Sequence, residues 1–141
     1  KMKTLLALLL LIPSLSWGNM ISLNQYLNQN PDIKENEIFY ISTRCSAIYL
    51  LGVQLSKNQP EIEKRLQGSY ESSISIATLA RSGIHPNDSD SSHLSNILET
   101  MDLILDRYVK LSNENYISTG SYYNELMWDD MEVCKVMLES S

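Results

Sequence analysis

The 141 residues include 17 acidic and 11 basic side chains and carry a formal net charge of −6. The basic residues are scattered along the sequence, which excludes the basic patch or stripe that binds nucleic acid. A chain of this length forms a single domain with a modest hydrophobic core.

Residues 1–18 have the three parts of a secretory signal peptide. Lys1 and Lys3 precede an apolar run of about 11 residues, and the small residues Ser16 and Gly18 resemble a signal-peptidase site. The run is shorter than the roughly 20 residues that span a membrane, so an uncleaved anchor is the less favoured alternative. We predict a signal peptide over 1–18 and a periplasmic or secreted helical domain over 19–141 without a membrane span. Loss of two lysines gives that domain a net charge of −8.

Three helices are predicted in the first half of the domain. Ser22 and Gln25 form a capping box, which begins a short helix that the polar run 28–31 ends. Segment 33–56 is apolar on nearly every side, which is typical of a central helix covered by others. Pro60 suits the first position of the next helix, and Gly83 marks its end.

Two further helices are predicted in the second half. Apolar residues recur at three- and four-residue steps along 94–111, and the face they form is predicted to be buried. Its members are Leu94, Ile97, Leu98, Met101, Ile104, Leu105 and Tyr108. A loop is predicted over 113–120, and the last helix is predicted to begin at Ser121. The fold class is therefore all-α, an up-down-up-down four-helix bundle with a short N-terminal helix and one inter-helix disulfide.

The two cysteines, Cys45 and Cys134, are predicted to form that disulfide, because exported proteins mature in oxidising compartments. Each cysteine lies in the apolar stripe of its helix, so the bond would join antiparallel neighbours. The resulting register predicts three facing pairs, which are Ile41 with Leu138, Ile48 with Met131, and Gly52 with Met127.

The two histidines lie in one polar loop. His85 and His93 bracket Asp88 and Asp90, and these four residues are the weak candidates for a metal site. Their spacing matches no established ligand pattern. We therefore predict no metal or other cofactor and expect the loop to supply the N-cap of the following helix.

Arg44 is a charged residue in the middle of the most apolar helix. We expect its guanidinium to be half covered and paired with an acid of the last helix, such as Glu132 or Glu139. The functional alternative is an anion-binding arginine in a cleft between helices.

Aromatic residues cluster in sequence around the start of the last helix. Such residues are enriched where proteins bind partners, so Tyr116, Tyr122 and Trp128, together with Arg44, form the candidate binding surface. The simpler interpretation is that the rings close the end of the bundle. Trp128 lies outside the apolar stripe, so it either packs under 21–27 or remains exposed as a contact site.

The sequence contains no motif for a catalytic nucleophile or a phosphate-binding loop. The acids near the C-terminus are predicted to form a solvated face, and they are Glu125, Asp129, Asp130 and Glu132. The favoured function is a small exported non-catalytic binding protein, whose partner is another exported protein or a small ligand. The alternatives are a metal-dependent enzyme or metal-binding protein using 85–93, and a carrier of a small apolar ligand between helices.

Overall fold

The computed structural model describes residues 20–141 and contains five α-helices in that part of the chain, with no strand among the described residues. The helices are α1 (Leu23–Gln29), α2 (Glu35–Leu55), α3 (Pro60–Ile84), α4 (Asp90–Thr119) and α5 (Glu125–Ser140). The predicted all-α bundle is confirmed. The predicted signal peptide lies outside the described residues.

The helix starts follow from local capping. The side chains of Ser22, Ser89 and Asn124 accept hydrogen bonds from backbone N–H groups in the first turns of α1, α4 and α5. The predicted loop over 113–120 is wrong, because α4 continues until Gly120, whose φ of 79° ends it. Consequently α5 begins at Glu125 rather than at Ser121.

Helix α2 lies at the centre of the bundle. Every residue from Ile41 to Tyr49 is buried, and α2 contacts α3, α4 and α5. Gly52 lies against Leu66 and Gly83 against Glu35, so α2 and α3 are antiparallel. A Cβ at position 52 would come within 2.9 Å of Leu66, which shows how closely the two helices approach.

Helix α2 is also long and apolar enough to cross a membrane when judged by length and composition alone. The prediction that nothing after the N-terminal run meets those criteria is therefore wrong. However, 67% of the apolar window of α2 is buried inside the bundle. The apolar side chains thus contact other helices, as predicted for a central helix.

The disulfide between Cys45 and Cys134 is present and joins α2 to α5, with a Cα–Cα distance of 5.5 Å. Both cysteines are fully buried. The detailed register differs from the prediction at Gly52, whose nearest neighbours are Leu66 and Tyr123 rather than Met127. A register derived from one disulfide does not account for the tilt between α2 and α5. It also does not account for α3, whose Leu66 packs against Gly52.

The apolar stripe of α4 faces the core as predicted, with one exception. Ile97, Met101 and Tyr108 are buried, and three further members are partly buried, namely Leu98, Ile104 and Leu105. Leu94 is 45% exposed, so its predicted burial is wrong. Tyr108 of α4 bonds Arg44 of α2. Leu94 precedes Tyr108 by more residues than the part of α2 before Arg44 contains, so α2 ends before it could cover Leu94.

Candidate functional site

A fully buried group of three residues, Arg44, Tyr108 and Asp130, connects α2, α4 and α5, and we call it the buried charge cluster. The Arg44 Nη2 donates to Asp130 Oδ2, and Arg44 Nε donates to the Tyr108 hydroxyl at 3.1 Å. The Tyr108 hydroxyl donates to Asp130 Oδ2 at 2.6 Å. Each charged group is thus both paired and hydrogen-bonded, which burial of an ion pair requires.

The same cluster holds the N-terminal segment on the bundle. Asp130 Oδ1 accepts the backbone N–H of Leu23 at 2.6 Å, and Arg44 Nη1 donates to the carbonyl of Ile21 at 2.6 Å. The Leu23 side chain is fully buried. Two backbone groups at the start of α1 are therefore bonded to charges inside the bundle, which positions α1 against α5.

The charges of the cluster stabilise each other. Burial by itself lowers the pKa of the Arg44 guanidinium, but Tyr108 and Asp130 raise that pKa by more, so the net shift is upward. Burial raises the pKa of Tyr108 well above its ordinary value, Arg44 opposes the rise, and Asp130 adds to it. Arg44 therefore stays charged and Tyr108 stays a neutral hydrogen-bond donor.

Two sequence-based expectations about these residues are corrected. The partner of Arg44 is Asp130, not Glu132 or Glu139, and Asp130 does not belong to a solvated acidic face. Arg44 is 0% exposed rather than half covered, so the structure does not bring it to the surface with the aromatic residues. The signal was present in the spacing, because Asp130 lies on the Met127–Cys134 stripe of α5.

The other three candidate residues lie where α4 ends and α5 begins, and we call them the aromatic surface. The rings of Tyr116 and Tyr122 stack with centroids 4.2 Å apart, and the two side chains are 46% and 40% exposed. Trp128 is 54% exposed and contacts Tyr123 edge-on at 5.0 Å. This exposure does not fit the alternative in which the Trp128 ring is buried under 21–27.

A groove of about 320 Å³ lies between α1 and α5. Its lining combines apolar and polar side chains, namely Asn24, Leu27, Asp129, Glu132, Val133 and Val136. No sequence pattern indicates this groove, because its two walls, α1 and α5, are separated by about a hundred residues in the chain.

Two of the four metal candidates, Asp88 and His93, bond Arg81 instead of facing a shared metal position. Arg81 Nη1 bonds His93 Nδ1 at 2.6 Å and Asp88 Oδ2 at 3.2 Å, while His85 and Asp90 are exposed. Among residues 20–141 no group of three or more His, Cys, Asp or Glu side chains has the arrangement of a metal site. Arg81 of α3 holds this loop through Asp88 and His93, and Ser89 supplies the N-cap of α4, as predicted for the loop.

The chain matches no protein-family model, no curated protein and no solved structure.

Proposed function

We propose that this is a small exported, non-catalytic binding protein whose contact site is the aromatic surface of Tyr116, Tyr122 and Trp128. The observation that carries the proposal is the exposure of all three rings, which lie in the part of the chain where α4 ends and α5 begins, two of them stacked on each other. Large exposed rings with a polar atom are typical of residues that anchor protein interfaces. The disulfide fits an oxidising compartment, which supports export to the periplasm or the medium.

Site-specific photo-cross-linking tests the proposal in cells that export the protein. Tyr122 is replaced by p-benzoyl-phenylalanine, and the control carries the same probe at Ser75, an exposed position of α3. We expect an adduct of defined mass from position 122 and none from position 75, and Trp128→Ala should weaken that adduct. Equal labelling from both positions, or none from either, would contradict a contact site on this surface.

Trp128→Ala is expected to reduce the free energy of unfolding by only about 0.5–1.5 kcal/mol, the usual contribution of an aromatic pair. The ring is half exposed and its described ring contact is with Tyr123, so little core packing is lost. Urea denaturation measures the change, and Met127→Ala, at a fully buried neighbour, is the matched control with an expected cost of about 2–5 kcal/mol. A loss for Trp128→Ala as large as the control would assign this ring to the core.

The other two functions considered from the sequence have separate tests. A metal-dependent role for 85–93 requires stoichiometric metal in protein purified without chelator, and elemental analysis measures it. A carrier of a small apolar ligand requires a bound molecule, which native mass spectrometry of the same sample detects. Such a ligand would bind in the groove between α1 and α5.

A further inference from the structure

We propose that the groove between α1 and α5 binds a basic amphipathic segment of the partner protein. The inference deepens the proposed binding function, because it names the chemistry of the segment that is bound and places its site beside the aromatic surface. It rests on the shape of the groove, on the apolar side chains that line it and on the charge along its rim.

The groove has a helical wall on each side. On one side α1 contributes Asn24 and Leu27, and the hydrogen bond from Leu23 N–H to Asp130 fixes the start of α1. On the other side α5 contributes Val133 and the 58% exposed Val136. Apolar side chains that remain exposed inside a preformed groove are typical of sites that accept the apolar face of a peptide.

The rim of the groove is negative. Asp129 and Glu132 line it, both are exposed, and none of the ion pairs between described residues involves either. Asp129 and Glu132 are three residues apart on one helix, so their carboxylates lie on the same face. The chain as a whole is acidic, and its net charge of −6 favours a cationic partner over an anionic one.

Trp128, a member of the aromatic surface, lies on the same side of α5 as the acidic rim. It precedes Glu132 by four residues, and residues at this spacing are neighbours on a helix. An exposed indole attracts a lysine or arginine head group through its π face, while the aliphatic stem of that side chain covers apolar surface. A segment with basic residues on one side and apolar residues on the other is therefore complementary to this site. Its basic side chains would meet the acidic rim and the Trp128 ring, and its apolar side chains would meet the apolar lining of the groove.

Fluorescence anisotropy tests the inference with a labelled amphipathic peptide of lysine and leucine. The test variant is Asp129→Asn with Glu132→Gln, and the control variant is Glu99→Gln with Asp102→Asn, an exposed acidic pair at the same spacing on α4. We expect the test variant to raise Kd by roughly five- to thirtyfold, since two solvent-exposed ion pairs are lost. The control should stay within about twofold, although its net charge changes equally.

A second pair of variants tests the contribution of the apolar side chains that line the groove. Val136→Ser should raise Kd roughly fivefold, whereas Leu79→Ser, at a 75% exposed leucine of α3, should leave it unchanged. The inference is overturned if both acidic variants weaken binding equally, or if a glutamate–leucine peptide binds as tightly as the lysine–leucine peptide. Absence of peptide binding while the Tyr122 cross-link persists would also overturn it, and would leave the proposed binding function standing.

Discussion

Replacing Asp130 by alanine is expected to lower the free energy of unfolding by about 3–5 kcal/mol. The substitution leaves the guanidinium of Arg44 charged inside the bundle, because this side chain is 0% exposed. It also removes the acceptor of the Leu23 N–H and of the Tyr108 hydroxyl. Domains of this size are stable by only about 5–15 kcal/mol, so the variant should melt at a much lower temperature.

Two control variants separate burial of the charge from loss of an acid. Asp129→Ala removes the neighbouring, exposed carboxylate and should change the unfolding free energy by no more than about 0.5 kcal/mol. The double variant Arg44→Met with Asp130→Leu removes both charges and should recover a large part of the loss. If Asp130→Ala is as stable as Asp129→Ala in urea denaturation, the cluster does not stabilise the bundle as described.

Removing the disulfide is expected to cost about 4–5 kcal/mol in the chain-entropy model, since Cys45 and Cys134 are separated by 89 residues. The bond joins α2 and α5 near the buried charge cluster, and the chain connects these two helices only through α3 and α4, so loss of the bond removes the constraint on a long loop in the unfolded chain. Guanidinium denaturation with and without a reducing agent measures the effect. The variant Cys45→Ala with Cys134→Ala should match the reduced protein and should not respond to the reducing agent.

A direct chemical test accompanies this measurement. Alkylation of the unreduced, denatured protein followed by mass spectrometry should find no modified cysteine, because the described residues contain no free cysteine. Two alkylated thiols would refute the bond. A destabilisation below about 1 kcal/mol would instead mean that the unfolded chain gains little freedom when the bond is absent.

The two largest effects are expected to be coupled. Arg44 and Cys45 are adjacent in α2, while Asp130 and Cys134 are one turn apart in α5, so the ion pair and the disulfide join the same two helices. Interactions that share neighbours are generally not additive. Combining Asp130→Ala with loss of the disulfide should therefore lower the free energy of unfolding by an amount that differs from the sum of the two single effects, and urea denaturation of the single and combined variants measures the difference.

Helix periodicity, capping residues and the cysteine pair were sufficient to predict much of the fold from the sequence. The buried central helix α2, the start of α3 at Pro60 and the bond between Cys45 and Cys134 all depend on local pattern or on covalent chemistry. Where the local pattern is weak, the prediction failed. The mostly polar residues at 113–119 continue α4 although they have no apolar stripe, because the helix has no stop signal before Gly120.

Only the tertiary structure decided which charges are buried and which are exposed. Asp129 and Asp130 are neighbours in a run of acids, yet Asp130 is enclosed with Arg44 while Asp129 lines the rim of the groove. Helical spacing puts the two side chains about 100° apart, but it does not identify the partner that each one meets. The burial of Arg44, the groove and the position of Trp128 depend on contacts between segments far apart in the chain, and the free energy of those contacts is not encoded in any local pattern.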